Sequence, residues 1–255
     1  MKSVSILGCG WLGKPLAISL LDDGYIVKGS TTSEEKLVIL KASEIDPYLI
    51  DISEFEEHDF FLASDILVVA ITSKDIDAFE NLIQQIENSR VKKIIFISST
   101  SVYPNINAVV TEDTKTKQTA LSEIEELFRK NNFFETTILR FSGLLGPNRH
   151  PGNWFSEGHK IKQPKGFVNM IHLEDCIEII HEVIDQNCWN ITLNACSNHH
   201  PTRKDFYSIA KLSKNLKLPE FEENEDLIYK IVSSKKIQDT LDYTFIHDVL
   251  LSLEI

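Results

Sequence analysis

The segment Ile6-Leu7-Gly8-Cys9-Gly10-Trp11-Leu12-Gly13 sets three glycines in G-x-G-x-x-G spacing between an apolar strand, Val4 to Leu7, and a helical run carrying Leu16, Ala17, Leu20 and Leu21. Few local patterns restrict a chain so tightly. The first glycine permits a tight turn, the second lets a ligand approach the backbone, and the third allows helix and strand to pack closely. The first N–H groups of such a helix lack intrahelical acceptors and sit at the positive end of its dipole, so the turn favours an anion. Residues 3 to 21 therefore point to the pyrophosphate of NAD or NADP, held by Gly8, Gly10, Trp11, Leu12 and Gly13.

Downstream, apolar runs alternate with helix-period segments, the pattern of a parallel sheet covered on both faces. Strands are expected at Val4 to Leu7, Tyr25 to Lys28, Tyr48 to Ile50, Ile66 to Ala70, Lys93 to Ile97 and Thr136 to Leu139. Ile76, Phe79, Ile83 and Ile86 mark one helical face. A second helix turns Leu121, Ile124, Leu127 and Phe128 inward, with Glu123, Glu125 and Glu126 expected in solvent. The periodic order runs to Gly146-Pro147, and residues 148 to 170 are rich in turn formers. The expected fold is thus α/β, a doubly wound parallel sheet of six or seven strands with a smaller carboxyl-terminal lobe. Residues 1–147 would form the dinucleotide-binding domain, joined by some later segments, and 148–255 mainly a substrate-binding lobe. Within that lobe a helix is expected from Asp175 to Ile184, and Thr202 with Asp205 reads as an N-cap pair opening a helix from Arg203 to about Leu216.

The second strand bears on cofactor choice. Asp22-Asp23-Gly24 reads as the turn ending the first helix, and Tyr25 to Lys28 leads into Gly29-Ser30-Thr31-Thr32-Ser33. An NAD-selective site commonly places a carboxylate there against the ribose 2′-hydroxyl, and this chain has none. The hydroxyls of Thr31 and Thr32, with Lys36 nearby, tolerate a 2′-phosphate better than a carboxylate would, so NADP is expected over NAD. Ser33 also reads as a helix cap.

After the fifth strand comes Ser98-Ser99-Thr100-Ser101-Val102-Tyr103-Pro104, at the edge where ligands bind such sheets. With the glycine turn, Asp51-Ile52, Leu139-Arg140-Phe141-Ser142-Gly143 running to Gly146-Pro147, and Asn169-Met170-Ile171-His172-Leu173-Glu174-Asp175, it makes the chain resemble the extended short-chain dehydrogenase/reductase family over nearly its whole length. That family includes NAD-dependent epimerases and dehydratases on a Rossmann sheet, and the likeness is to an atypical branch of it. The resemblance implies an NAD(P)-dependent oxidoreductase or epimerase acting on a small polar, sugar-like substrate. It places the catalytic hydroxyl on Ser99, sets Asp51 and Ile52 near the adenine, and runs Ala70 and Ile71 along the cofactor with Ser98 and Phe141. Arg149 falls where an anionic part of the substrate is held, and His172 joins the substrate side. The family also uses Tyr-x-x-x-Lys on the following helix, and here the chain departs: alignment puts Lys117 at the Tyr position and Leu121 at the Lys position, with no Tyr between Tyr103 and Tyr207. Three readings remain open. Tyr103 replaces the missing acid; Lys117 or His172 supplies the proton; or the protein binds NAD(P) without turnover, as a sensor or scaffold.

Composition sets the outer limits. With 255 residues and 42% hydrophobic content the chain can bury a large core, and 10 glycines and 8 prolines are too few for a low-complexity linker. A formal charge of -12 argues against nucleic acid and anionic membrane as partners, leaving a small-molecule substrate and an open oligomeric state. Cys9, Cys176, Cys188 and Cys196 suggest no framework of pairs and read as reduced thiols of a cytoplasmic protein. No apolar stretch is long enough to span a bilayer. No metal site is expected, since Cys196-Ser197-Asn198-His199-His200 reads as a polar loop. His172-Leu173-Glu174-Asp175 has the makings of a catalytic dyad but reads first as lobe packing at His172 and a helix cap at Asp175.

Overall fold

The computed structural model describes residues 2–54, 56–222 and 227–252. In chain order the first elements are β1 (Ser3–Leu7), α1 (Gly13–Asp22), β2 (Ile26–Thr31), α2 (Glu34–Ala42), β3 (Asp46–Leu49), α3 (Asp59–Leu62), β4 (Ile66–Val69), α4 (Ile76–Glu87) and β5 (Lys93–Ser99). Then come β6 (Val109–Val110), α5 (Ala120–Arg129), β7 (Glu135–Phe141), β8 (Gly143–Leu145), β9 (Lys160–Ile161), β10 (Met170–His172) and α6 (Leu173–Asp185). The last are β11 (Thr192–Ala195), α7 (Arg203–Leu212), β12 (Glu220–Phe221), β13 (Ile231–Val232) and α8 (Lys235–Leu241).

Seven strands form one parallel sheet in the order β11-β7-β5-β4-β1-β2-β3. The order reverses between β1 and β4, which makes that pair the switch point of a doubly wound sheet. Leu7 lies beside Val69 and Val69 beside Phe96, so β1 and β4 end level at their carboxyl edge and β5 runs on past them to Ser99. The six expected strands all form. The seventh, β11, lies beyond residue 147, where a short Thr-Leu-Asn-Ala run carries little local strand signal.

The chain divides into two compact units: Met1–Ser98 with Gln118–Leu139 and Ile177–Thr192, and Ser99–Lys117 with Arg140–Cys176 and Leu193–Ile255. The first takes back residues 177–192 from beyond 147. The second begins at Ser99, because β5 and β7 hand the chain over at their carboxyl ends.

In the first unit, α4 forms because Asp75 caps it, accepting from the Ala78 N–H at 3.1 Å, and because Phe79, Ile83 and Ile86 share a buried face. Phe96 stacks on Phe128 at 4.7 Å between ring centroids, and Phe79 meets both edge-on. Such aromatic pairs add about 0.5–1.5 kcal/mol beyond the area they bury. Helix α5 opens on a capping box in which the Thr119 hydroxyl accepts from Ser122 N–H and the Ser122 hydroxyl accepts from Thr119 N–H.

The second unit is built from short parallel pairs, β8 with β10, β9 with β12 and β6 with β13. Its core holds Leu145, Ile161, Val168, Met170, Phe206, Tyr207 and Leu250. As expected, Thr202 caps α7, accepting from Asp205 N–H at 3.1 Å. Among the described residues no helix is long and apolar enough to cross a membrane.

Candidate functional site

The turn from β1 to α1 uses its glycines for different reasons. Gly8 has φ +99°, and a Cβ there would lie 2.7 Å from Ile71 Cγ2 and 2.9 Å from the Ala70 carbonyl oxygen. A Cβ on Gly13 would lie 2.2 Å from the Gly8 carbonyl oxygen. The fold itself demands both. Gly10 is different, since a Cβ there would meet nothing within 4 Å. That open space lets a ligand come down onto the main chain. The turn is tied to β2 by Gly8 N–H donating to Ser30 Oγ at 2.9 Å and Cys9 N–H donating to the Ser30 carbonyl at 2.7 Å. Cys9 packs into room left by Gly29, whose Cβ would sit 2.5 Å from Sγ, and burial pushes the Cys9 thiol up to about 12.

Helix α1 begins after Leu12, with no side-chain cap and no acidic residue in its first turn. Its amino terminus therefore keeps its positive end uncompensated by a carboxylate. Trp11 is half-buried and Leu12 buried. The backbone opening at Gly10 and this uncapped terminus fit a pyrophosphate.

At the end of β2, Thr31 is buried and its hydroxyl accepts from Ser33 N–H at 3.2 Å, while Thr32 and Lys36 are exposed. Glu34 and Glu35 occupy the first turn of α2 and are exposed. Asp51 is exposed, and its carboxylate accepts from both the N–H and the hydroxyl of Ser53, which hold its pKa below the usual carboxylate value. Ile52 beside it is buried. Ala70 N–H continues the sheet ladder by donating to the Leu7 carbonyl at 2.8 Å, which keeps Ala70 and Ile71 against the glycine turn.

At the end of β5, Ser98 donates to Glu125 Oε1 at 2.5 Å, and both residues are buried. Glu125 is thus not the solvated residue its helical neighbours suggested. A partner from a distant strand, joined by Arg129 one turn along α5, compensates its burial.

In the second unit, Ser99 to Tyr103 form a turn around a short 3₁₀ helix, Thr100–Val102. Ser99 is half-exposed, and its oxygen accepts from Ser101 N–H at 3.1 Å, leaving the O–H to donate. Tyr103 lies fully buried, donating to Asn194 Oδ1 at 2.8 Å and accepting from Arg140 Nη1 at 2.6 Å. Burial raises its pKa against the pull of the Arg140 guanidinium. This phenol serves a core network. Two lysines meet the same turn: Lys117 N–H donates to the Val102 carbonyl at 2.8 Å, and Lys230 Nζ donates to the Tyr103 carbonyl at 2.9 Å. Burial, with the Lys117 charge adding to it, lowers the Lys230 pKa to about 8. No local pattern in the sequence marks Lys230, which reaches this turn from 127 residues away.

Arg149 is exposed on the loop after β8, and Phe141 is buried at the end of β7. His172 is buried in β10; its Nδ1 accepts from Glu174 N–H at 3.3 Å, and its ring lies 3.8 Å from that of His247. His247 Nε2 and Glu174 Oε2 are 2.5 Å apart, which holds the Glu174 carboxyl below its ordinary pKa. Burial, and then His247, lowers the pKa of His172. The three side chains place ligand-capable atoms within 4.8 Å of one another, a grouping that local sequence did not suggest because His247 comes from the far end of the chain. It is brought there by Asp175, which is buried and accepts from Tyr243 O–H, Ile246 N–H and His247 N–H at 2.8, 2.7 and 3.1 Å.

No family model matches the chain. The Escherichia coli (strain K12) protein YeeZ is 31% identical over 264 residues, covering 96% of each chain. Among solved structures, a conserved protein of unknown function from Silicibacter pomeroyi DSS superposes with a TM-score of 0.84 at 19% identity, covering 98% of this chain and 97% of that one. The UDP-glucuronic acid 4-epimerase of Bacillus cereus, solved in complex with NAD, gives 0.76 at 16% identity, covering 96% and 94%. The structural likenesses agree with the doubly wound sheet, and the end-to-end relative adds kinship. The chain belongs to the family of the Escherichia coli protein YeeZ, built on the same fold as the UDP-glucuronic acid 4-epimerase.

Proposed function

We propose that the protein binds a nicotinamide dinucleotide on the β1–α1 turn and uses it in oxidoreductase or epimerase chemistry on a small polar, sugar-like substrate. The observation that carries the reading is the turn, where Gly8 and Gly13 leave no room for a side chain while Gly10 opens onto free space at an uncapped helix terminus. The cofactor supplies hydride transfer when bound. Gly8, Gly10, Trp11, Leu12 and Gly13 hold the pyrophosphate, Asp51 and Ile52 lie toward the adenine, and Ala70, Ile71, Ser98 and Phe141 complete the cofactor set. Ser99 donates its O–H to the reacting oxygen. Arg149 and His172 stand on the substrate side. Tyr103 is assigned no proton transfer, since its hydroxyl is committed to Asn194 and Arg140. Cys9, Cys176 and Cys196, buried as thiols, accord with a cytoplasmic protein.

NADP is the proposed dinucleotide, because the end of β2 offers Thr31 and Thr32 with Lys36 nearby and no carboxylate on the strand itself. Titration should show NADPH binding more tightly than NADH; tenfold tighter NADH binding, about 1.4 kcal/mol, would reverse the assignment. Denaturing the purified protein and weighing what it releases tests for carried nucleotide. A screen at the nicotinamide absorbance band with sugar nucleotides and simple carbonyls then tests turnover.

The second reading is a sensor or scaffold that binds the dinucleotide without turnover, favoured by Lys117 and Leu121 standing where the family has Tyr and Lys. Turnover abolished by Ser99→Ala would reject it. Failure to bind any dinucleotide would reject both.

A further inference from the structure

We infer that Lys230, fixed on the Ser99–Tyr103 turn beside Lys117, is the proton acceptor and donor that takes the place of the absent tyrosine. The inference rests on the oxidoreductase reading above and names the group that reading lacks.

The position is built from the backbone outward. Immediately before Lys230, Tyr229 is gripped by Asn107, whose N–H donates to the Tyr229 carbonyl at 2.9 Å and whose Oδ1 accepts from Tyr229 N–H at 2.8 Å. Asn169 holds the other side, its amide donating to the Lys230 carbonyl at 3.0 Å and its oxygen accepting from Val232 N–H at 2.8 Å. The following strand pairs with β6, Ile231 beside Val109. A lysine gripped on both sides is held in register with the loop that follows Tyr103.

Its side chain then returns to that loop, where Nζ meets the Tyr103 carbonyl. An ammonium has three N–H groups and the carbonyl takes one, so the amine keeps capacity for a ligand. Ser99 and Tyr103 bracket the 3₁₀ helix Thr100–Val102, so the Ser99 hydroxyl and the amine held on the Tyr103 carbonyl belong to one turn. Lys117, at the aligned tyrosine position, is anchored on the neighbouring Val102 carbonyl. Two cations at one turn, with half-buried Lys230 losing hydration, disfavour its charged form. Of the charged groups around Tyr103, Arg140 meets the phenol and Glu112 accepts from Asn194 N–H. An amine poised near neutrality suits acid–base work in both directions.

The step balances as follows. In the oxidative direction a substrate carbinol loses its O–H proton to the neutral Nζ of Lys230, which becomes an ammonium. A bound oxidised nicotinamide dinucleotide would supply the acceptor for the hydride as the carbinol C–H bond breaks with its electron pair and leaves a carbonyl. In the reverse direction the ammonium returns the proton. Lys117 is a positioning residue whose charge adds to the burial that disfavours the charged form of Lys230.

Competitive acetylation of the intact protein between pH 7 and 11, read by mass spectrometry at each lysine, measures the titration without turnover. Lys230 is expected to titrate near pH 8 and exposed lysines near the ordinary value of about 10.4, with Lys117→Met moving the Lys230 midpoint upward. In the turnover assay Lys230→Met should lower kcat by at least about 100-fold with KM and dinucleotide affinity little changed. Lys230→Arg, which keeps the charge but not the titration, should be equally slow, and Lys230→Ala should recover part of its rate with added methylamine. A Lys230 midpoint matching the exposed lysines, or a Lys230→Met kcat within twofold of wild type, overturns the inference and leaves the oxidoreductase reading standing. Absence of dinucleotide binding by the wild type overturns that reading and the inference with it.

Discussion

The β1–α1 turn and the Ser99–Tyr103 turn both follow strands of the sheet, yet they are made in opposite ways. The first works through main chain: its glycines are set by a φ of +99° at Gly8 and by backbone contact at Gly13, and it opens at Gly10 onto an uncapped helix terminus. The second works through side chains that arrive from far away, Asn194 and Arg140 onto the Tyr103 phenol and Lys230 onto its carbonyl. A site of main-chain atoms depends on where side chains are missing. One built from side chains tolerates substitution of any single actor so long as another group of suitable chemistry reaches the same place, which is how a dehydrogenase-like fold can keep its binding half while changing its proton donor.

The contrast breaks most visibly at the glycines. Gly13→Ala drives a Cβ into the Gly8 carbonyl, so urea denaturation should show a loss of about 3 kcal/mol and dinucleotide binding should disappear with it. Gly10→Ala adds its methyl to open space at ordinary φ, so stability should stay within about 0.5 kcal/mol of wild type while dinucleotide affinity falls at least tenfold. If both variants bound the cofactor normally, the turn would be a packing device alone.

Tyr103→Phe sharpens the other half. Removing the hydroxyl takes a donor from buried Asn194 and an acceptor from buried Arg140, which should cost about 2 kcal/mol in urea denaturation. Dinucleotide affinity and kcat should change by less than threefold. A hundredfold loss of kcat with stability intact would return the phenol to the chemistry and displace Lys230.

The same division explains what could be read from the chain by itself. The glycine turn was legible because its three constraints fall within six residues, and the six strands expected through residue 147 all form because each carries its own apolar run. Glu125 was misread as solvated: nothing within α5 signals that Ser98 will reach it from the end of β5. His247 lies 73 residues from the Glu174 it meets, and Lys230 lies 127 residues from Tyr103. Periodicity reports which face of an element is buried but carries no information on which distant side chain will be its partner. Strand β11 was missed for a related cause, being four residues long with an asparagine among them.

The smallest expected effect follows from the Lys230 titration and appears in stability alone. Folding lowers the pKa of this lysine to about 8 from its ordinary value of about 10.4 in an unfolded chain. Between those values the unfolded state binds more protons than the folded one, so this group makes stability rise with pH through that window. Below pH 8 both states are protonated and the unfavourable contribution is at its full size. Lys230→Met lacks the titration, so the stability of wild type relative to Lys230→Met should climb from pH 8 to pH 10 and be flat between pH 6 and pH 7, and the subtraction cancels every group the two proteins share. Repeating the pair in a Lys117→Met background removes one of the two causes of the shift, which should narrow the window from its lower edge. A difference that is flat from pH 6 to pH 10 would mean that Lys230 is as well hydrated in the fold as an exposed lysine, and that the second turn holds no group poised for proton transfer at neutral pH.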